Sequence, residues 1–527
     1  MRKLPLAATL AALLLSATAM AGGDRHQGKA VPPESPQAML TTPQSSTTEG
    51  SVTVEGKRID YTAVAGTLVL HGRGDKSDVP TVSMFYTAYF KKGVAPGKRP
   101  VTFIYNGGPG SSTVWLHMGA FGPRRVVTAD HTHTPAAPYP LINNDYSLLD
   151  ASDLVFIDAP GTGFSRLIAN DKDPAKRAKQ MAERKKQIYS VDGDGHAFAQ
   201  FITRFLTRYG RWNSPKYLLG ESYGTTRSAV VANDLENEDS VDLNGVVLLS
   251  QILNFGLSID GPQRNPGVDL PYELALPTYA ATAYYHHKLP SQPADLPAFL
   301  KQVEQYATGE YASALMAGST LSPARAQAVA EQLHQYTGLP VAYLLKANLR
   351  VSGGMFEHEL LSQADDSTGR LDTRFSGPSI DPMGKSAEYD PQSSAISSAY
   401  VAVFNNYVRK DLKFGQNRTY RLWADIDHWD MTHHGSHHTL NVMPDLAMAM
   451  KTNPGLKVML NSGYYDLATP FYEGQYEMHH LPIPASLQKN ISYALYDSGH
   501  MIYAHEPSMK KLHDNVAAFI RATDNLK

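Results

Sequence analysis

Residues 216–224 read KYLLGESYG, and this stretch decides the fold. A short apolar run leads into Gly-x-Ser-x-Gly, and the small residues at 225–232 then favour a helix. The pattern is typical of a nucleophile elbow, a sharp turn between a buried strand and a helix that exposes a serine hydroxyl. Gly220 and Gly224 are the small residues that such a turn needs, because the backbone passes close to itself there. The sequence therefore predicts Ser222 as a nucleophile.

The apolar runs around the elbow predict an α/β fold. Continuous apolar runs indicate strands buried on both faces, hence a mostly parallel sheet with helices on both sides, and they fall at 101–105, 154–157, 217–219, 246–249 and 458–460. Residues 195–209 have helical spacing of phenylalanines and predict a crossover helix. Partly alternating runs at 51–54, 67–70 and 79–90 favour antiparallel strands at one edge of the sheet.

The region 261–440 differs in its sequence pattern from the rest of the chain. Amphipathic patterns at 296–316 and 323–336, frequent Pro and Gly, and the lack of a continuous apolar run predict a largely helical insertion, or cap, over the strand ends. The predicted α/β core then has an N-terminal part at 51–260 and a C-terminal part at 441–527. Residues 22–50 are rich in Pro, Ser, Thr and Gln and predict a disordered linker.

The first 21 residues predict a signal peptide. Arg2 and Lys3 precede an apolar run that ends in small residues, so we expect cleavage after Ala21 and a periplasmic or secreted bacterial protein without a membrane span. The 527 residues contain no cysteine, so disulfides cannot stabilise the exported chain. The formal net charge of −2 argues against a nucleic-acid partner. The oligomeric state is left open between a monomer and a homodimer.

A serine nucleophile needs a base, and the base needs an acid that orients it. In an α/β-hydrolase both follow the serine, first the acid and then a histidine, on loops after late strands. Asp466 follows the apolar run at 458–460, and His500 follows an alternating run at 491–496. Each residue alone is ordinary, but this order after Gly-x-Ser-x-Gly predicts a triad of Ser222, Asp466 and His500.

Acyl transfer also needs donors for the developing oxyanion. One is the amide after the nucleophile, here Tyr223, and the other comes from a loop after an earlier strand. Asn106-Gly107-Gly108-Pro109-Gly110 directly follows the predicted strand 101–105. We therefore predict an oxyanion hole made by the amides of Gly108 and Tyr223.

Six motifs, taken together, resemble the serine carboxypeptidase family, which includes cathepsin A. They lie in family order between residues 101 and 503, at 106–112 (NGGPGSS), 122–123 (GP), 144–147 (NDYS), 156–165 (FIDAPGTGFS), 220–224 (GESYG) and 499–501 (GHM). The resemblance implies an α/β-hydrolase fold, a peptide substrate, no cofactor and the same triad and oxyanion hole. It also implies that Asn106, Gly107 and Glu221 bind the substrate, and that Asn106 and Glu221 hold its terminal carboxylate. A carboxylic acid must share a proton with a carboxylate to bind it, so the resemblance implies a preference for acidic pH.

The sequence departs from the family at two positions of the carboxylate site. Ile104 stands where the family has a tryptophan, and Ala120 stands where it has a second glutamate. These departures leave open an esterase, an acyltransferase or a peptidase of other specificity on the same machinery. The predicted function is nevertheless a serine carboxypeptidase that acts through an acyl-enzyme.

Five histidines within eleven residues leave open another class of function. They could bind zinc or copper, with Asp425, Asp427 or Asp430 as oxygen ligands, in a non-catalytic metal- or ligand-binding protein, and they are His428, His433, His434, His437 and His438. Consecutive histidines in a loop are expected to point in different directions. We therefore predict no metal site.

Overall fold

The computed structural model of the chain describes residues 40–72 and 77–526. Its strands are β1 (Ser45–Val54), β2 (Lys57–His71), β3 (Pro80–Lys91), β4 (Val101–Tyr105), β5 (Arg124–Val126), β6 (Leu141–Asn143), β7 (Asp153–Ile157), β8 (Arg166–Leu167), β9 (Lys216–Ser222), β10 (Gly245–Gln251), β11 (Asp366–Thr368), β12 (Ser376–Pro378), β13 (Lys457–Gly463) and β14 (Ile491–Tyr496).

Helices cover the sheet and fill the middle of the chain. They are α1 (Pro174–Ile188), α2 (Val191–Arg208), α3 (Tyr223–Asn237), α4 (Leu270–Tyr285), α5 (Leu296–Tyr306), α6 (Ala312–Ala317), α7 (Pro323–Thr337), α8 (Val341–Lys346), α9 (Gly353–Glu359), α10 (Pro391–Lys410), α11 (Met443–Thr452), α12 (Phe471–His479), α13 (Ala485–Gln488) and α14 (Glu506–Thr523). None of the helices in the described ranges is long and apolar enough to cross a membrane.

The central sheet has ten strands and is mostly parallel. Its order is β1-β2-β3-β7-β4-β9-β10-β13-β14, with β8 beside β3. Strands β1, β2 and β3 pair antiparallel, whereas β7, β4, β9, β10, β13 and β14 pair parallel. This arrangement confirms the predicted α/β-hydrolase class, including the antiparallel edge.

Apolar side chains on both faces of the parallel strands explain the continuous runs in the sequence. In β9, Leu219 belongs to one apolar cluster and Leu218 to another, and Val247 and Val246 of β10 divide in the same way. All four side chains are fully buried. Because successive side chains point to opposite faces, both faces of the sheet must be covered.

The predicted linker extends too far toward the core. Residues 45–50 form the first half of β1 and pair with residues 61–66 of β2, so the prediction of a linker at 22–50 is wrong for them. The segment is rich in Ser and Thr because it lies at the sheet edge, where its side chains are mostly exposed or half-buried. The predicted signal peptide and residues 22–39 of the predicted linker lie outside the described residues.

The region 261–440 contains α4 to α10 and the short β11–β12 hairpin. A π-helical turn at Ala307–Tyr311 divides the helix predicted for 296–316 into α5 and α6. Apolar residues of 259–361 form a separate cluster with Tyr465, Leu467 and Phe471, whereas α10 packs into the same cluster as β4 and β9. The domain boundaries themselves remain a prediction.

Candidate active site

Ser222 lies at the sharp turn where β9 ends and α3 begins. Its backbone has φ 60° and ψ −132°, a conformation that non-glycine residues rarely adopt. A Cβ on Gly220 would lie 2.2 Å from the carbonyl oxygen of Gly224, and one on Gly224 would lie 3.0 Å from that of Tyr105. Both positions therefore require glycine or a rearranged turn, and the half-buried serine is held at the carboxyl end of the strand.

Asp466 and His500 lie on loops after neighbouring parallel strands at the same edge. Asp466 follows β13 and is fully buried, and His500 follows β14 and is 4% exposed. His500 Nδ1 lies 2.8 Å from Asp466 Oδ2. Within the described residues, the hydroxyl of Ser222 does not hydrogen-bond to the His500 ring.

Hydrogen bonds around Asp466 fix the direction of its carboxyl group. Thr469 donates its amide to Oδ1 at 2.9 Å and its hydroxyl to Oδ2 at 2.6 Å. Burial alone would lower the pKa of His500, but the charge and hydrogen bond of Asp466 raise it above its usual value. Since the carboxylate accepts the Nδ1 proton, the Nε2 atom is left as the basic nitrogen.

Segment 370–373 of the helical region supports both loops. The His500 amide donates to the carbonyl of Leu371 at 2.6 Å, and the Gly499 amide donates to Asp372 Oδ2 at 3.1 Å. The Leu467 amide donates to the carbonyl of Arg370 at 3.1 Å. The sequence analysis missed this support, because no motif or periodicity marks a loop that acts through two backbone carbonyls and one aspartate side chain.

The loop 106–112 packs directly against the elbow. A Cβ on Gly107 would lie 2.5 Å from the amide nitrogens of both Tyr223 and Gly224, so only glycine allows this approach. Gly108 follows with φ +108°, again a glycine conformation. The structure thus brings Gly107, the neighbour of the predicted donor Gly108, to the start of α3, where the helix dipole favours negative charge.

A buried arginine on α3 fixes this loop. Arg227 donates from Nη1 to the carbonyl of Asn106 at 2.7 Å and from Nε to Asp194 Oδ2 at 2.6 Å. Both charged side chains are 1% exposed. Removing either Arg227 or Asp194 would leave an unpaired buried charge. Because Asp194 fixes the position of Arg227, the hydrogen bond from Arg227 to Asn106 holds the loop at a defined distance from the elbow.

A buried carboxyl group stands next to the nucleophile. Glu221 is 4% exposed, and its Oε1 accepts a hydrogen bond of 2.7 Å from Asn106 Nδ2. Burial raises the pKa of Glu221 to about 7, although His500, Tyr503 and Asn106 oppose this shift. The group is therefore largely a neutral acid below neutral pH, and it can donate a proton as well as accept one.

Two tyrosines occupy the space around Glu221, and the sequence analysis missed both. The Tyr503 hydroxyl lies beside the carboxyl, close enough to affect its pKa, but neither this hydroxyl nor Glu221 Oε2 has a hydrogen-bond partner of good geometry. Tyr400 on α10 reaches the same place, and Ala120 packs in the same cluster. Tyr503 could have been noticed as the third residue after His500, whereas Tyr400 carries no signal in the sequence.

A protein-family model covers most of the chain, and individual relatives align with about a third of it. A family model described as Serine carboxypeptidase matches residues 74–513. The pheromone-processing carboxypeptidase KEX1 of Cryptococcus gattii is 28% identical over 183 residues, which cover 34% of this chain and 24% of that protein. Serine carboxypeptidase-like 36 of Arabidopsis thaliana is 26% identical over 175 residues, 32% of each protein. Each alignment thus spans less than a third of the curated relative's length.

A solved structure has the same fold. The crystal structure of Kex1(delta)p, a prohormone-processing carboxypeptidase from Saccharomyces cerevisiae, matches with a TM-score of 0.50 and 16% identity. The match covers 89% of this chain and 93% of that one.

Proposed function

The chain belongs to the serine carboxypeptidase family, and from this membership we propose that it removes C-terminal residues from peptides through an acyl-enzyme. Ser222 attacks the scissile carbonyl carbon, and His500 takes the hydroxyl proton and passes it to the leaving amine. Asp466 keeps His500 in the tautomer that this transfer needs. Water then hydrolyses the ester, with His500 again as the base. The first transfer requires a hydrogen bond from the Ser222 hydroxyl to His500 Nε2.

The oxyanion of each tetrahedral intermediate would be held by the amides of Gly108 and Tyr223. The close packing of Gly107 on the elbow and the Arg227–Asn106 hydrogen bond support this proposal, because they fix the loop before the reaction starts. Donors that are already in place need no reorganisation as charge develops, which is the main electrostatic advantage of such a site.

One observation carries the exopeptidase part of the proposal, and it is the buried Glu221 carboxyl beside Ser222. A neutral carboxyl can share its proton with the terminal carboxylate of a peptide, whereas an ionised one would repel it. Asn106 occupies Oε1, so the unpartnered Oε2 is the oxygen that would face the substrate. We propose that the Tyr503 hydroxyl, which lies beside Glu221, gives a second donor in place of the carboxyl group that Ala120 lacks.

An esterase or acyltransferase is the second candidate, and Ile104 and Ala120 favour it. Ile104 is fully buried in the core, and Ala120 is 1% exposed, so neither offers a polar group to a substrate carboxylate. On this alternative the triad works in the same way, but a free terminal carboxylate is not required.

We expect the enzyme to prefer peptides with a free C-terminal carboxylate over the same peptides with a C-terminal amide, and to lose this preference at high pH. The ratio of kcat/KM for the two peptides should fall above pH 7, approaching about tenfold per pH unit, because Glu221 loses its shared proton there. Titration of His500 affects both substrates and cancels in the ratio. This ratio can be measured by mass spectrometry of the products of N-blocked peptides between pH 5 and 9. Equal cleavage of both peptides at every pH would favour the esterase alternative.

Replacing Tyr503 by phenylalanine should weaken recognition of the terminal carboxylate. We expect kcat/KM for free-acid peptides to fall about tenfold or more, because a hydrogen bond to a charged group is lost, while kcat/KM for amidated peptides or esters stays nearly unchanged. Tyr407→Phe is the matched control, since that buried hydroxyl bonds to Tyr89 instead. If kcat/KM fell equally for both substrate types, Tyr503 would have a packing role and would not bind the terminal carboxylate.

We also propose export of the chain to the periplasm or the cell exterior, on the composition of residues 2–21 alone. N-terminal sequencing of the mature protein should then begin at Gly22, and an intact Met1 would exclude cleavage.

A further inference from the structure

Residues 422–434, which we name the covering segment, lie over the loop 106–112, which carries the predicted oxyanion donor Gly108. The Ser112 amide donates to the carbonyl of Leu422 at 2.8 Å, and the Ala424 amide donates to that of Gly110 at 2.9 Å. A Cβ on Gly110 would lie 2.4 Å from the side chain of Ile426. Trp429 meets the ring of Tyr223 edge-on at 5.4 Å. The position of this segment therefore bears on the active site.

The covering segment ends in a cluster of two histidines and two aspartates. His433 Nδ1 lies 2.6 Å from Oδ1 of Asp192 in the first turn of α2, and His433 Nε2 lies 2.9 Å from Oδ2 of Asp445 on α11. His434 Nε2 lies 3.4 Å from Asp445 Oδ1. One helix on each side thus contributes a carboxylate to the pair of imidazoles.

The two imidazoles face the same side because of the backbone at His434. This residue has φ 48°, in the left-handed region, and its ring centroid lies 3.9 Å from that of His433. The expectation that these consecutive histidines point in different directions is therefore wrong. The expected oxygen ligands are elsewhere, since Asp425 and Asp427 pair with Lys185 and Asp430 accepts the Thr432 amide.

The geometry of the cluster fits a small cation. Asp192, His433 and His434 each offer one ligand atom, and these atoms lie within 4.8 Å of one another. A tetrahedral zinc ion with bonds of about 2.1 Å holds its ligand atoms about 3.4 Å apart, so side-chain rotations suffice to close the group. Zinc-bound histidines usually give their second nitrogen to a carboxylate, and here Asp445, which is 4% exposed, takes that place for His433.

We propose that Asp192, His433 and His434 bind a zinc ion, that Asp445 orients His433, and that the ion fastens the covering segment to α2. The ion displaces the proton shared by Asp192 and His433, and that proton passes to solvent. A water molecule completes the tetrahedron, because His434 and Asp192 are largely exposed. The ion does not take part in peptide hydrolysis, so this inference does not depend on the proposed function.

Zinc titration of the full mature chain, stripped first with a chelator, tests the proposal. We expect one zinc per chain by calorimetry and by elemental analysis, and a rise in Tm of about 2–5 °C at a hundredfold excess of zinc over its Kd. Mg²⁺ should have no such effect, because imidazole ligands favour zinc. His434→Ala should abolish both results. The control His438→Ala, an exposed histidine outside the group, should retain both.

Two outcomes would overturn the proposal. The first is a stripped wild-type chain that takes up no zinc, since the cluster would then be only an ion-pair network between His433 and its two carboxylates. The second is zinc bound as tightly by both His434→Ala and Asp192→Ala as by the wild type, since other histidines would then hold it. The Tm of these two variants without zinc reports their folding. It should stay close to that of the wild type for His434→Ala, whose side chain is exposed, and should fall for Asp192→Ala, which loses its bond to His433.

Discussion

Ser222→Ala should reduce kcat by about a millionfold and leave the protein folded. The loss is this large because the serine, histidine and aspartate act as a unit, and only substrate binding and the oxyanion donors remain when the nucleophile is gone. Alanine has no larger side chain than serine and fits the same turn, so the variant should keep the Tm of the wild type. The measurement is peptide turnover by mass spectrometry, together with labelling by a fluorophosphonate.

The control for this substitution is Ser313→Ala, an exposed serine on α6 that should retain full turnover and labelling. Stoichiometric labelling of the wild type at Ser222 would also remove the non-catalytic alternative. If Ser222→Ala kept more than a small fraction of the turnover, a different nucleophile would have to be sought, and the elbow would be reduced to a structural turn.

Asp466→Asn should lower kcat about ten-thousandfold without unfolding the chain. The amide cannot hold the Nδ1 proton of His500 as a carboxylate does, and it favours the tautomer in which Nε2 is protonated and no longer basic. Thr469 should increase the loss, because it donates to both oxygens of Asp466 and the NH₂ group of an asparagine cannot accept either bond. The rate should be measured from pH 5 to 9, since a wrong tautomer lowers it across the whole range.

Asp372→Asn is the control that separates an effect on the His500 tautomer from an effect on the position of His500. Asp372 is also fully buried and accepts the Gly499 amide next to His500, and an asparagine oxygen can still accept that bond. Its carboxylate also pairs with the buried Arg374, so the Tm of this variant must be measured beside its rate. We expect a far smaller loss in this variant than in Asp466→Asn. Equal losses, or an Asp466→Asn variant within tenfold of the wild type, would show that Asp466 does not orient the base.

The sequence predicted the sheet, and it predicted which loops follow its strands, because both depend on local patterns. Leu218 and Leu219 are both apolar because their strand is buried on both faces. Asp466, His500 and the glycines of the loop 106–112 lie directly after strand ends, as predicted, while their catalytic roles remain a proposal.

Features made by distant parts of the chain could not be predicted. Tyr400 reaches Glu221 from a helix in the region expected to be a cap, and Asp192 and Asp445 meet the paired histidines from two separate helices. Local composition was misleading at residues 45–50, where a polar edge strand and a flexible linker have similar residues. In each case tertiary packing decides, and a single sequence carries no record of it.

The hydrogen bond from the His500 amide to the Leu371 carbonyl ties the helical region to the proposed base. An engineer who trimmed residues 261–440 to obtain a minimal enzyme would also delete the segment that supports His500 and the loop of Asp466. Such a truncated chain could keep its sheet and still misplace the histidine. Swapping caps between relatives should therefore succeed only when the donor region brings its own equivalent of segment 370–373.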